Sequence, residues 1–187
     1  MGSVNLRRLL LLLIIILLAG CGGDLLDDLN PSDKDQRPAV QTGTVGPNVG
    51  QNAPDFLISD SLGNSVTLST ALAEPGKRGI VLYFTMWCPT CDSEMSNMLS
   101  SHIPNFPDVR FYAVDYVSGT IAGTRNSELS NGYAGSGFTV LADTAQTLLN
   151  LYNGSMGTTV VIDKTGIIRS NENYKDDRLT TALTNLP

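Results

Sequence analysis

Residues 79–99 read GIVLYFTMWCPTCDSEMSNML. Ile80, Val81, Leu82, Tyr83 and Phe84 form an unbroken apolar run of the length of a buried strand. After Trp87-Cys88-Pro89-Thr90-Cys91 the pattern changes, and Met95, Met98, Leu99 and Ile103 fall at one-face helical spacing. Two cysteines three apart across the first turn of a helix can close a small disulfide. Unpaired backbone N–H groups and the helix dipole stabilise a thiolate there. The thiolate is the attacking species in disulfide exchange, so the placement suits redox chemistry. Pro89 at the start of the helix gives up only an N–H that would be unpaired anyway. The stretch reads as a thiol–disulfide redox site on a strand–turn–helix unit.

Working outward, a chain of 187 residues allows one domain of usual size with tails. A net charge of −6 and a pI near 4.6 argue against nucleic acid as a partner. Nothing approaches the roughly 20 apolar residues that span a bilayer. Arg7 and Arg8 followed by the aliphatic run Leu9 to Leu18 make a signal-peptide n-region and h-region. Leu18-Ala19-Gly20-Cys21 resembles a bacterial lipobox, which implies a signal peptide over 1–20 and a lipid on Cys21 as the membrane anchor. Gly22 after that cysteine resembles lipoproteins sent on to the outer membrane. Of three cysteines, lipid uses one and leaves the pair Cys88 and Cys91. The compartment is then the periplasm, where disulfides persist.

Residues 21–52 comprise the lipidated cysteine and a flexible acidic linker, rich in Pro, Gly and Asp with few large apolar groups. Such a segment cannot bury enough surface to order itself. About 30 flexible residues span roughly 30 Å, enough to hold a domain off a membrane. A folded domain is expected over 53–187. Its expected strands include 65–68, 80–84, 109–114, 138–141, 158–163 and 167–170. Helices are expected near 69–73, after Cys88 and over 121–129. A further helix is capped by Asp143 with Ala145, Leu148, Leu149 and Tyr152 on one face, and a last one carries Leu179, Leu183 and Leu186. Strands alternating with helices and then a terminal hairpin predict an α/β domain of three layers (α/β/α) around a mixed central sheet.

Several of these pieces together resemble the thioredoxin-like superfamily in its membrane-tethered TlpA/ResA branch, related to AhpC/TSA proteins. They are Ala53-Pro54-Asp55-Phe56, Trp87-Cys88-Pro89-Thr90-Cys91, Glu94, Phe138 to Asp143, and Thr158 to Gly166. The resemblance implies a thioredoxin-like fold and a thiol–disulfide oxidoreductase in which Cys88 attacks and Cys91 resolves. It further implies that Glu94 governs protonation of the buried thiol. Trp87, Pro89, Thr90, Met156 and Gly157 would meet the partner. No cofactor beyond the Cys88–Cys91 disulfide is called for. The implied partners are periplasmic thiol proteins, apocytochromes among them, and an upstream electron donor, with the protein a monomer. A bridge closing so small a loop removes little unfolded-state entropy, so stability alone is a poor reason for the pair. No second cysteine pair accompanies it and His102 is the only histidine, which argues against zinc.

Three positions depart from the family. Met156-Gly157 stands where a cis-proline is usual; a non-proline cis bond costs about 3 kcal/mol, which predicts a trans bond and a looser loop. Ser96 replaces a frequent proline and predicts a less kinked helix. Leu82 replaces the buried acid of thioredoxin, leaving proton transfer to Glu94 or water. Two other readings remain open. Phe84 to Thr90 also resembles the peroxidatic stretch of peroxiredoxins, with Thr85 three before the cysteine and Arg125 as the one candidate arginine. A tethered binding module with an inert disulfide is the non-enzymatic alternative. His102 is expected to interact with the helix end or face water, and Tyr133, Tyr152 and Tyr174 to be packing groups.

Overall fold

A computed structural model describes residues 41–187. The expected signal peptide, Cys21 and the linker up to residue 40 lie outside the described residues. No helix among the described residues is long and apolar enough to cross a membrane.

Seven strands form one mixed sheet: β1 (Leu57–Asp60), β2 (Ser65–Thr67), β3 (Gly79–Thr85), β4 (Val109–Asp115), β5 (Phe138–Ala142), β6 (Thr158–Asp163) and β7 (Ile168–Asn173). Their order is β2-β1-β5-β4-β3-β6-β7. β3, β4 and β5 run parallel, while β6 pairs antiparallel with both β3 and β7. The helices are α1 (Leu68–Leu72), α2 (Pro89–Asn97), α4 (Ile121–Ser130), α5 (Thr147–Leu151) and α6 (Asp176–Thr184), with a short α3 (Ile103–Asn105) ending the segment that α2 begins.

β3 lies inside the sheet and is buried along its whole length. Because strand side chains alternate, it feeds two cores at once. Val81 and Tyr83 join Cys91, Met95, Phe111, Val161, Leu179 and Leu183 on one face. Ile80, Leu82 and Phe84 join Phe56, Leu68, Tyr112, Leu148, Tyr152 and Ile162 on the other. A sheet with parallel strands at its centre needs both faces covered, and this pattern produces the three expected layers. Leu82 is wholly buried in the second core, as its apolar side chain requires.

Several expectations need correction. The linker is not loose to its end: Gly50 N–H donates to Ile168 O at 2.9 Å and Asn171 Nδ2 to Pro47 O at 2.8 Å. These bonds add residues just before Ala53 to the β7 side of the sheet. The helix after β5 starts at Thr147 with Gln146 rather than Asp143 at its N-cap, since Gln146 takes a left-handed backbone (φ 55°). Asp143 still serves it, accepting from Leu148 N (3.2 Å) and Leu149 N (2.9 Å). Leu186 lies beyond α6 yet is buried. The redox helix passes Ser96 without a break and widens into a π turn at Met98–His102 before α3. That turn precedes Pro104, whose ring cannot sit over the carbonyl four residues back. His102 does not face water. It is buried, with Nε2 3.1 Å from Thr180 Oγ1 and 3.5 Å from Asp176 Oδ1 of α6.

Candidate active site

The site forms where β3 runs out and α2 begins. Trp87 turns the chain sharply, with a left-handed backbone (φ 60°) that a side chain of its size rarely adopts. Its N–H donates to Thr85 Oγ1 at 3.1 Å, which fixes the turn. Cys88 is then the N-cap of α2, Pro89 occupies its first turn, and Cys91 N–H donates to Cys88 Sγ at 3.2 Å. A charge on Cys88 Sγ therefore sits at the positive end of the helix. Both thiols are free and 2.7 Å apart. Cys88 is half-buried, whereas Cys91 is 0% exposed, so a partner can reach only the first sulfur.

Burial pushes the Cys91 thiol up, but the Cys88 thiol, the backbone at Met86 and Cys88, and the Thr85 hydroxyl more than offset it. The net shift is downward. With two thiols in contact, the first proton lost belongs to the pair.

Glu94 lies on the inner side of α2, one turn beyond Cys91, and its Oε2 accepts from Tyr83 Oη at 2.6 Å. Tyr83 is wholly buried. Its phenol is pushed far up, first by burial and then by the hydrogen bond to Glu94 and the charge on Cys91, so it stays a donor. Tyr174 packs edge-on against Tyr83, with ring centroids 6.4 Å apart, and accepts from Asn97 Nδ2 at 2.7 Å. Trp87 packs on Tyr133 (6.1 Å), whose hydroxyl donates to Asp92 Oδ1 at 2.7 Å. Tyr133 and Tyr174 pack as expected and each adds a hydrogen bond to α2. Tyr83 and Tyr133 were missed from sequence as site residues. A tyrosine inside the aliphatic run of β3 is the one signal that could have pointed to the first.

The 153–157 loop closes the other side. Met156–Gly157 is trans, as expected. The loop is tied at Gly157, contrary to the expected looseness: its N–H donates to Phe84 O (3.0 Å) and its C=O accepts from Tyr174 N (2.8 Å). Gly157 has φ +78°, and a Cβ there would lie 3.2 Å from Glu94 Oε2. Glycine thus meets both the left-handed backbone and the close approach of the carboxylate. Met156 is exposed, and its Sδ lies 3.4 Å from Cys88 Sγ. Pro89 and Thr90 are exposed beside it. Arg125 is not at the thiols, since it pairs with Glu128 at 2.7 Å within α4. The predicted residues Trp87, Cys88, Cys91, Glu94, Met156 and Gly157 thus come together around one sulfur pair.

Residues 49–171 match the model of the AhpC/TSA family. The thiol-disulfide oxidoreductase ResA of Geobacillus kaustophilus is 29% identical over 123 residues, which cover 65% of this chain and 67% of that protein. Among solved structures, DsbF of Mycobacterium tuberculosis is 25% identical with a TM-score of 0.55, covering 71% of this chain and 95% of that one. The peroxidoxin BcpB of the same organism shares the fold at 20% identity and a TM-score of 0.56, over 74% of this chain and 95% of its own. With residues 49–171 matched, the chain belongs to the AhpC/TSA family, and its mixed seven-stranded sheet has the thioredoxin-like fold, with similarity to the thiol-disulfide oxidoreductase ResA.

Proposed function

We propose that this protein exchanges disulfides with partner proteins through Cys88 and Cys91. The observation that carries the reading is a reachable sulfur at a helix N-cap with a second thiol buried 2.7 Å behind it. In the reducing direction the Cys88 thiolate attacks one sulfur of a partner disulfide. The partner's S–S bond breaks, its other sulfur leaves as a thiolate, and Cys88 is held in a mixed disulfide. Cys91, deprotonated, then attacks Cys88 Sγ and releases the partner's second thiol, leaving the Cys88–Cys91 disulfide. Glu94, held by Tyr83, is the carboxylate that takes up the Cys91 proton. Oxidation of a partner runs the same steps backwards.

Trp87, Pro89, Thr90 and Met156 surround the sulfur and form the partner-facing surface. Gly157 spends both backbone groups internally, whereas Met156 N–H and C=O have no backbone partner among the described residues. An extended partner segment therefore pairs with Met156 in this reading. The lipobox at residues 18–21 supports a cell-envelope lipoprotein facing the periplasm, with the outer membrane favoured. Such a protein serves periplasmic thiol proteins, apocytochromes among the candidates, and needs an upstream electron donor.

Insulin reduction and dithiothreitol exchange by the purified protein, run beside peroxide consumption, test the reading. Exchange that vanishes in Cys88→Ser and mixed disulfides trapped on Cys91→Ala are the expected results. Peroxide turnover outrunning exchange would overturn it in favour of a peroxidase. That alternative asks for an arginine at the thiolate, and Arg125, Arg110 and Arg78 are paired with Glu128, Glu74 and Asp108. A reduction potential below about −300 mV with slow exchange would make the disulfide inert.

A further inference from the structure

Four methionines fall among the described residues, and they differ sharply in setting. Met95 and Met98 are buried in the core, while Met86 is 43% and Met156 42% exposed. The Met156 thioether lies against the reachable thiol, its Sδ 3.4 Å from Cys88 Sγ. The contact is not left to a swinging loop, because the next residue is tied to β3 through Phe84 O and to the chain after β7 through Tyr174 N.

An exposed thioether is oxidised by peroxide to a sulfoxide, which thiols can reduce. While Cys88 and Cys91 are reduced, Cys88 Sγ is the reachable sulfur of the pair and meets the oxidant first. Once they are joined as a disulfide, Met156 is the exposed soft sulfur left at the site. We propose that Met156 is an oxidation site which the Cys88–Cys91 dithiol itself repairs, so that the residue facing the partner is restored by the pair it flanks. The inference rests on the reading of Cys88 and Cys91 as an exchanging pair.

The chemistry balances with peroxide as the oxidant and a dithiol donor as the reductant. Peroxide delivers one oxygen to Met156 Sδ and leaves as water. When an electron donor has reopened the disulfide, Cys88 attacks the sulfoxide sulfur and takes over its oxygen as a sulfenic acid, returning the thioether. Cys91 attacks that sulfenic sulfur, and the oxygen departs as water with the two thiol protons. One sulfoxide and two thiols become one thioether, one disulfide and one water. Each repair thus returns the site to its disulfide form and draws two electrons from the donor.

The full chain in its disulfide form is treated with hydrogen peroxide, freed of peroxide, and opened with stoichiometric dithiothreitol. Peptide mass mapping then follows the added oxygen on Met156 and on Met86, with insulin reduction assayed in parallel. The expected result is that Met156 gains an oxygen and loses it at least about tenfold faster than Met86, because its reductant is held in contact. In Cys88→Ser the oxygen stays. A lasting Met156 sulfoxide alongside intact insulin reduction overturns this inference alone. Absence of insulin reduction in the untreated protein overturns the exchange reading with it. Equal rates at the two methionines, repair in Cys88→Ser, or no oxidation of Met156 each sink the self-repair.

Discussion

Where β3 begins, its neighbour β6 ends at Asp163, and every group there is used. Asp163 Oδ1 accepts from Thr165 N (2.8 Å), Thr165 Oγ1 (2.6 Å) and Ile167 N (3.1 Å), and Oδ2 from Arg169 Nε (2.6 Å). Where β3 ends, accounts stay open. Trp87 holds a left-handed backbone, and its buried Nε1 has no partner. Asp115 Oδ2, on the adjoining end of β4, is likewise buried without one. Two thiols sit side by side, one of them reachable. Of four buried unpaired side-chain atoms among the described residues, two lie at the end that carries the thiols, together with the strained Trp87 backbone.

The sharpest way to break this comparison is to remove Cys88. Cys88→Ser should cut exchange by more than about a thousandfold while the unfolding midpoint hardly moves, because a nucleophile has been lost and little packing. Insulin reduction and denaturant unfolding read the two quantities separately. A large stability loss in that variant would erase the division of labour. The mirror change is Asp163→Ala. It should cost about 2–4 kcal/mol in chemical denaturation, since buried donors and Arg169 lose their acceptor, with exchange in the folded protein preserved.

Gly157→Ala tests the junction between loop and helix. A Cβ at positive φ and 3.2 Å from Glu94 Oε2 is expected to cost about 1–2 kcal/mol and to slow exchange by displacing the carboxylate. Melting and exchange rates measured together check both effects. Tyr83→Phe removes only the donor to Glu94. Exchange should fall by about tenfold and its pH profile should shift, with stability lowered by about 1 kcal/mol. An unchanged pH profile would reduce Tyr83 to packing.

The smallest expected effect is in pH dependence. The Cys91 thiol is held below 9.0, so thiolate absorbance of the reduced protein should appear below that pH. A depressed acid favours folding fully above its ordinary value and loses that contribution as pH falls through the folded one. The reduced protein should therefore gain stability over Cys91→Ala as pH rises towards 9.0. Asp163 obeys the same sign in acid: it is lowered from 3.8, and its contribution fades as pH falls below that value.

Much of the fold was legible from periodicity. The apolar run 80–84, the helical spacing after Cys88 and the β-branched stretch 158–163 each became the expected element, because buried strands and amphipathic helices write their burial into residue order. The failures share a cause. Gln146 adopts a left-handed backbone and delays α5, and residues 47–52 are held by bonds to β7 and its turn, and neither carries an apolar pattern. His102 is buried because α6 covers it from seventy-odd residues away in the chain.

Residue order by itself determined most strands and helices, the thiol pair at a helix start and the family resemblance, since these rest on local pattern and on neighbours in the chain. Only the tertiary structure decided that Tyr83 would hold Glu94, that Gly157 would make room for its carboxylate, and that Met156 would touch Cys88. Those contacts join β3, α2 and the 153–157 loop across long sequence separations. Their existence depends on how strands pair and helices pack, which no local spacing records.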